Sequence, residues 1–499
     1  MPNKTIQFIN NHLILVLASV FFIRATYLFI NGLDLIGDET YYWDWSRQLD
    51  WCYYSKPPMI AWLMRLSTEL GGHTTAIVRL PSVFLGTLFL AYFYATTKAI
   101  YNAQAAALAL LILLATPINL IANFIMTIDA PLYCFWMMSL YYLHKALFNN
   151  SLHSWLWAGI ATGLALLSKQ AALLLPVMLA AYLLSDKQRQ HLFKREFLLY
   201  LLPIIICAIP IILWNQQHDW VMFGHSKGHF VTEEKLTLLK RLEQGATFLL
   251  YQLLLITPVV TALLLINSFK YCLKLKQLPQ QDQFLVWMGP ILLLGIIALG
   301  FIQKVQGNWS MPFYFSGIIL LSGQWQKGQW QKSLKYGLML GYFMVTLTYA
   351  LPVLIQAFNL QNTPVDPTFR FRHTQELISS IDAERKKVTP TEKPAFFLTL
   401  GHRYLASQLA FYLPDHPQVF RYEPTGEVVS QYEVWGGPVD YIGKSAYFVT
   451  ELNEKAIPAE LKAIFSSFRK VGEVVNPSNK NSVYSLYIAE NLKAWPPKI

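Results

Sequence analysis

Residues 13–30 read LILVLASVFFIRATYLFI, an apolar run long enough to cross a bilayer as one helix. The run is long for the apolar region of a signal peptide, and no A-x-A cleavage site follows it, so we expect a retained first helix. Comparable runs recur through the first 357 residues, and we predict about eleven transmembrane helices, with up to thirteen allowed. The candidate spans are 12–31, 77–99, 105–122, 131–147, 154–168, 171–184, 197–214, 246–269, 284–303, 310–323 and 335–357.

The composition of the 499-residue chain agrees with a polytopic membrane protein. It is 54% hydrophobic and only 14% charged, whereas soluble domains carry roughly 25% charged residues. The net charge of +11 falls largely in loops between apolar runs. Because no basic-aromatic module accompanies it, we expect contact with membrane lipids and no nucleic-acid partner. Four widely spaced cysteines predict neither a disulfide framework nor a zinc site.

The charge of the loops predicts the orientation of the chain. Three short basic connections, 186–195, 270–276 and 327–335, lie on one side if the N-terminus is cytoplasmic. This agreement requires a tight hairpin within 154–184, and a single long helix there would invert everything downstream. The opposite side then receives the first loop 31–76 and the C-terminal region. We therefore expect a bacterial inner-membrane protein whose active site and C-terminus face the periplasm.

The composition changes near residue 358, where charged and turn residues increase. Short apolar runs at 395–399, 446–450 and 482–488 predict strands, and 403–412 and 458–467 predict helices. We predict a transmembrane catalytic domain over 1–357 and an extracytoplasmic α/β domain over 358–499. A segment of this size can bury its own core.

The first loop concentrates residue types suited to chemistry. Asp38 and Glu39 supply two carboxylates that can act as a base or a ligand, or can simply cap a helix. Lys56 follows Tyr53 and Tyr54 and precedes Pro57-Pro58, where it can bind phosphate or snorkel at the interface.

Later loops add further candidates, each with an ordinary alternative. Asp129 lies at the start of an apolar span, where burying an acid costs free energy. Such an acid is expected to form an ion pair, to take part in function or to cap a helix. Lys169 can contact phosphate or anchor the interface. His218, in an aromatic loop, favours substrate binding over metal, because no third ligand has a diagnostic spacing. Asn308 suits hydroxyl recognition or an ordinary loop.

Motifs for common soluble chemistry are absent from the sequence. It contains no G-x-x-x-x-G-K-[ST], G-x-G-x-x-G, H-E-x-x-H or G-x-S-x-G. ATP-driven transport, dinucleotide chemistry and common hydrolase mechanisms are therefore unsupported. We assign no metal ligands, and a divalent metal is left open.

The first-loop pattern resembles the GT-C glycosyltransferases. It is similar to the bacterial branch related to lipid A aminoarabinose transferase and protein O-mannosyltransferases. The resemblance spans most of residues 30–320. It is carried by Asp38-Glu39-x-Tyr-Tyr, 54–62 (YSKPPMIAW), 79–81 (RLP), 127–129 (TID), 168–169 (SK), 218–220 (HDW) and 308–312 (NWSMP).

The resemblance implies roles for single residues. It implies catalytic roles for Asp38, Glu39 and Asp129. It implies contacts with the donor phosphate for Lys56, Lys169 and Arg79. Tyr53, Tyr54, His218 and Asn308 are the expected substrate-binding residues.

The implied reaction is transfer of a hexosyl or pentosyl group from a polyprenyl phosphate, with inversion at the anomeric carbon. The expected acceptor is lipid A or lipopolysaccharide, another glycan or a protein. A flippase for lipid-linked sugars would use a similar cavity, but should show midplane charges and repeated halves. A non-catalytic envelope scaffold is the other alternative.

Overall fold

The structure is a computed structural model that describes residues 2–193, 195–228, 237–325, 331–361, 363, 366–387, 394–452 and 456–496. In these ranges the chain is mostly α-helical, with one five-stranded sheet in the C-terminal region. Parts of three loops discussed above lie outside the described residues. These parts are Lys194, 229–236 and 326–330.

The helices before residue 358 cover the predicted spans, and additional helices lie near the N-terminus and in the predicted loops. They are α1 (Pro2–Asn11), α2 (Leu13–Ile30), α3 (Gly37–Arg47), α4 (Met59–Gly71), α5 (Thr75–Ile100), α6 (Ala103–Leu114), α7 (Pro117–Ala122), α8 (Asp129–Phe148), α9 (Leu152–Ser168), α10 (Leu174–Leu184), α11 (Arg195–Gln217), α12 (Val221–Gly228), α13 (Leu238–Ile256), α14 (Pro258–Leu273), α15 (Gln280–Met288), α16 (Pro290–Gly300), α17 (Met311–Gln324) and α18 (Gln331–Ala357). Short 3-10 turns lie at Gln170–Leu173, Gln190–Phe193, Leu275–Gln277 and Gly307–Ser310.

Among the described residues, five helical segments are long and apolar enough to cross a membrane. A sixth is added if α13 and α14, which are bent by 115°, form one span, and three shorter apolar helices accompany them. The polytopic helical architecture is thus as predicted, whereas the number of eleven to thirteen spans stays a prediction. The five long segments are Leu13–Ile30, Thr75–Ile100, Gln190–Gln217, Gln280–Gly300 and Gln331–Ala357.

Three predicted spans are interrupted, each time before a proline. The spans are 105–122, 246–269 and 284–303, and the helices that follow the breaks begin at Pro117, Pro258 and Pro290. Proline has no amide hydrogen for the preceding turn and disfavours the helical conformation of the residue before it. The block 154–184 is also interrupted, at Lys169, which has an extended backbone between α9 and the next turn. The tight hairpin expected at this break stays a prediction.

The chain folds as two compact units. The helical unit comprises Met1–Leu28, Arg79–Leu213 and Lys227–Ala350. The loop–sheet unit comprises Phe29–Val78, Trp214–Ser226 and Leu351–Ile499. The domain boundary between residues 357 and 358 stays a prediction.

Small residues bring helices together in the helical unit. Gly159 and Gly163 of α9 lie against α11, where a Cβ on Gly159 would overlap the backbone carbonyl of Tyr200. The hydroxyl of Thr162, between the two glycines, lies 2.7 Å from Ser139 Oγ on α8 and 3.0 Å from Tyr200 Oη. Glycines four residues apart permit this close approach, and shared hydroxyl hydrogen bonds strengthen it.

The loop–sheet unit contains a mixed sheet of order β2-β1-β3-β5-β4. Its strands are β1 (Phe396–Leu400), β2 (Val419–Tyr422), β3 (Ala446–Thr450), β4 (Ser467–Asn476) and β5 (Asn479–Glu490). Its helices are α19 (Thr374–Lys386), α20 (Arg403–Tyr412), α21 (Gln431–Trp435) and α22 (Ala459–Ala463). Strand β1 pairs in parallel with β2 and β3, while β5 pairs antiparallel with β3 and β4.

The sheet confirms the three predicted strands and adds two. Buried side chains of β1 and β3, including Leu398 and Phe448, form its apolar core with α22. The predicted helix 458–467 ends at Ala463, and Ser467 instead begins β4. Strand β4 is mostly exposed and carries Arg469, Lys470 and Glu473, so its sequence lacks the apolar run that identifies a buried strand.

Candidate active site

Asp38 and Glu39 begin helix α3, but their environments differ. Glu39 is fully buried, and its Oε2 accepts a hydrogen bond of 3.0 Å from the backbone N–H of Ile36. It therefore caps the helix from its third position. Asp38 is half-buried in the same first turn, where a carboxylate complements the helix dipole. Of the two acids, Asp38 has the more accessible carboxylate.

A tyrosine from the C-terminal region holds Asp38. Tyr404 Oη donates a hydrogen bond of 2.7 Å to Asp38 Oδ1. Burial and the neighbouring Asp38 raise the pKa of Tyr404 to about 12, so the phenol remains a donor at neutral pH. Arg403 lies over the rings of Tyr41 and Tyr404, at 5.2 and 5.1 Å from their centroids.

Arg403 and Tyr404 are not among the site residues predicted from the sequence. The available signal was the run Gly401-His402-Arg403-Tyr404 at the start of a correctly predicted helix. Nothing in that run indicates which distant loop it contacts, because the contact spans 366 positions of the chain.

The Pro-Pro corner places Tyr53, Tyr54 and Lys56 in one short turn. Tyr53 is fully buried, stacks on Trp45 at 4.6 Å, and hydrogen-bonds to the backbone around it. Tyr54 is half-buried, and its ring lies 4.9 Å from that of His225. The backbone carbonyl of Lys56 accepts a hydrogen bond from Tyr53 N–H at 3.1 Å. Tyr53 thus supports the turn, whereas Tyr54 and Lys56 are partly accessible.

The aromatic segment around His218 is tied to the first loop. Trp214 Nε1 donates a hydrogen bond of 2.7 Å to Asp50 Oδ2. The ring of His218 stacks on Trp214 with centroids 4.0 Å apart, and its Nδ1 lies 2.8 Å from the Trp214 carbonyl oxygen. Asp219 and Trp220 then have positive φ angles of 51° and 58°, which turn the chain sharply after the stack.

Three predicted residues from distant parts of the sequence meet in the helical unit. Asp129 Oδ1 accepts a hydrogen bond of 2.8 Å from Lys169 Nζ, and its Oδ2 accepts one of 2.5 Å from Asn308 Nδ2. Asp129 is the first residue of α8, Lys169 lies at the break after α9, and Asn308 lies in a 3-10 turn. A buried carboxylate is tolerated here because each oxygen has a donor.

Further polar groups hold the turn that carries Asn308. The fully buried Gln252 donates from Nε2 to the Gly307 carbonyl at 3.2 Å, and its Oε1 accepts from Ser310 Oγ at 2.7 Å. Tyr133 Oη donates to the Asn308 carbonyl at 3.4 Å. Gln252 was not among the predicted site residues, because it lies inside an apolar span.

Arg79 lies near the start of α5 in the helical unit and is 1% exposed. Its guanidinium lies over the ring of Phe124, 4.8 Å from the centroid. The other predicted residues, Asp38, Glu39, Tyr53, Tyr54, Lys56 and His218, belong to the loop–sheet unit. Within the described ranges, no group of three or more His, Cys, Asp and Glu side chains could hold a metal ion.

Comparison with known proteins adds sequence relatives. A family model described as dolichyl-phosphate-mannose-protein mannosyltransferase matches residues 55–214. The lipid A galacturonosyltransferase RgtD of Rhizobium johnstonii is 27% identical over 311 residues, which cover 61% of this chain and 64% of RgtD. The chain therefore matches a little under two thirds of that relative's length.

Solved structures show the same fold. ArnT from Cupriavidus metallidurans bound to undecaprenyl phosphate aligns with a TM-score of 0.62 at 17% identity, over 95% of this chain and 98% of ArnT. Apo ArnT from the same organism aligns with a TM-score of 0.63 at 15% identity, over the same shares.

Proposed function

We propose that this chain is a membrane glycosyltransferase, because it is similar to the bacterial GT-C glycosyltransferases and has an ArnT-like fold. The donor is a sugar linked to a polyprenyl phosphate, and the acceptor is an envelope molecule: lipid A or lipopolysaccharide, another glycan or a protein. The reaction takes place on the periplasmic face of the inner membrane. No observation favours a flippase or a scaffold.

The single observation that carries this proposal is the state of Asp38. Its carboxylate is half-buried, one oxygen is fixed by Tyr404, and it lies in the loop motif that resembles the family. A purely structural acid is better served by the fully buried position of Glu39. An accessible, oriented carboxylate suits proton abstraction.

The proposed reaction is a single displacement. The acceptor oxygen attacks the anomeric carbon, the bond from that carbon to the phosphate oxygen breaks, and its electron pair leaves with the polyprenyl phosphate. Asp38 takes the proton of an acceptor hydroxyl as the new bond forms. If the acceptor is itself a phosphate, no proton must be removed and Asp38 orients the acceptor instead.

Cationic side chains stabilise the leaving phosphate in this proposal. We assign Lys56 to this role, because an ammonium is a mobile phosphate ligand and the Pro-Pro corner fixes its backbone. We assign Lys169 a second contact. Its ammonium has three donors, and Asp129 uses one. Arg79 helps to stabilise the negative charge of the same phosphate. The sugar or the acceptor is contacted by Tyr54, His218 and Asn308.

The test is a transfer assay in membranes that carry the wild-type protein or a variant at matched abundance. The donors are polyprenyl phosphates bearing radiolabelled galacturonic acid, aminoarabinose or mannose, and the acceptors are the endogenous envelope molecules. Asp38→Asn and Lys56→Ala should each lower transfer at least about 100-fold, within the range of lost acid–base or electrostatic catalysis. The labelled product identifies the acceptor.

Two surface variants serve as matched controls. Glu69→Gln removes an exposed carboxylate of the loop–sheet unit, to which Asp38 also belongs. Lys98→Ala removes an exposed ammonium. Both should transfer at the wild-type rate. Wild-type transfer no greater than in membranes without the protein, for every donor, would favour the flippase. Equal transfer by wild type, Asp38→Asn and Lys56→Ala would remove the site assignment.

A further inference from the structure

Helix α20 of the C-terminal region lies along the start of α3. Ser407 Oγ lies 2.9 Å from Thr40 Oγ1, and Tyr412 Oη accepts a hydrogen bond of 2.7 Å from the backbone N–H of Leu35. Together with Tyr404, these side chains place three polar contacts from one helix on one short segment of the first loop. This segment is thus held by residues 366 to 377 positions later in the chain.

Tyr404 is packed too closely to be an incidental neighbour. Its ring covers Gly37 so tightly that a Cβ on that glycine would overlap the ring carbons. The ring of His402 lies 4.2 Å away, and the guanidinium of Arg403 lies 5.1 Å from the centroid of the Tyr404 ring. Its hydroxyl then meets Asp38 Oδ1 at 2.7 Å, a good distance for an O–H donor to a carboxylate.

We propose that Tyr404 is a positioning residue for the reaction: it fixes the carboxylate of Asp38, so the C-terminal region supplies part of the active site. This inference rests on the proposed function, because it assigns Asp38 the role of base. The hydrogen bond occupies one oxygen of Asp38 and orients the other.

Other ionisable groups face the same carboxylate and must be separated from Tyr404 in a test. Arg403 belongs to α20, and His402 immediately precedes that helix. Burial of the imidazole is the main cause that lowers the pKa of His402, and the positive charge of Arg403 lowers that pKa further. The His402 ring also lies 4.2 Å from that of Tyr404, and its Nδ1 accepts a hydrogen bond from the Tyr404 N–H. A His402 variant would therefore disturb Tyr404 as well, so it is not used as a control.

The main variant is Tyr404→Phe, which keeps the ring on Gly37 and removes only the hydroxyl. We expect kcat to fall about tenfold or more with little change in donor KM, since one charge-assisted hydrogen bond is lost. A loss of kcat with an unchanged donor KM separates a positioning role from a defect in donor binding. The assay uses the radiolabelled donor that the wild-type enzyme accepts.

A second variant reaches the same contact from the other side. Gly37→Ala should displace the Tyr404 ring and give the same loss of kcat. Ser407→Ala is the control, because it removes a neighbouring hydroxyl that contacts Thr40 and the backbone carbonyl of Tyr404 but keeps the phenol that binds Asp38. It should keep kcat within about twofold of wild type.

Three results decide the proposal. An unchanged kcat for Tyr404→Phe would overturn it, as would equal losses for Tyr404→Phe and Ser407→Ala, which indicate a merely structural effect. The double variant Asp38→Asn/Tyr404→Phe should be no slower than Asp38→Asn alone, and an additional loss would contradict positioning. An active Asp38→Asn enzyme would instead refute the proposed role of Asp38 itself.

Discussion

Lys169 Nζ lies 2.8 Å from Asp129 Oδ1, with the two side chains only 15% and 8% exposed. Forty positions of sequence separate these residues, and a different sequence feature predicts a role for each. The structure shows one ion pair, with Asn308 donating to the second carboxylate oxygen. The acid and the lysine therefore have to be considered together, because each compensates the charge of the other.

This ion pair predicts an asymmetric response to substitution. Lys169→Met leaves Asp129 buried without its cation and should lower the free energy of unfolding by about 3–5 kcal/mol. The double variant Asp129→Asn/Lys169→Met removes both charges and should recover much of that loss. Thermal unfolding of the purified protein in detergent measures each variant, and the double-mutant cycle isolates the pair.

Lys98→Met is the control for this cycle, because Lys98 is exposed. It should unfold at the wild-type temperature. A double variant that loses as much as the sum of the two single variants would show that Asp129 and Lys169 are not coupled.

The close contact of α9 with α11 predicts strong intolerance at Gly159. Gly159→Val should destabilise the protein by about 2 kcal/mol or more, since its side chain meets the backbone of Tyr200 and one helix must move. Gly295 of α16 offers a matched control, because a Cβ there meets nothing within 4 Å. Gly295→Ala should be neutral or stabilising by up to about 1 kcal/mol.

Thermal unfolding and yield after detergent extraction distinguish the two glycine variants. Wild-type stability of Gly159→Val would show that the helices separate without penalty, contrary to the packing argument.

Gln252 should matter for both stability and turnover. Gln252→Leu leaves Ser310 Oγ and the Gly307 carbonyl without this partner, which should lower the free energy of unfolding by about 1–3 kcal/mol. The turn that carries Asn308 should then lose its fixed geometry, and kcat should fall. Transfer kinetics and thermal unfolding are measured on the same preparation. The exposed Gln277→Leu variant should match wild type in both.

Cysteine labelling tests the predicted orientation of the chain. Native Cys52 is buried, and burial raises its thiol pKa to about 12, so at pH 7 only roughly one thiol in 100,000 is ionised and reactive. In a Cys207→Ala/Cys272→Ala background, we expect Glu69→Cys to react with a membrane-impermeant maleimide added to intact spheroplasts. Lys276→Cys should react only after the membrane is broken. The reverse pattern would contradict the assigned orientation.

The sequence predicted the apolar segments and the three central strands because burial leaves a local pattern. Long runs such as 335–357 exclude a soluble fold, and alternation or short apolar runs mark β1, β3 and β5. The sequence also contains the prolines that follow the three helix breaks, Pro117, Pro258 and Pro290. Hydropathy, however, averages over a window and does not separate a straight span from two bent helices. Strand β4 was missed because its residues are mostly exposed.

For this protein, the sequence alone determined the membrane character, the helical segments, the family resemblance and the residue types suited to chemistry. These follow from composition, local periodicity and motifs, all of which depend on residues that are close together in the chain. Only the tertiary structure decided that Asp129 pairs with Lys169 and Asn308, that Glu39 is buried while Asp38 is accessible, and that Tyr404 holds Asp38. Such pairings depend on how helices from distant parts of the chain pack, and no local pattern of residues specifies them.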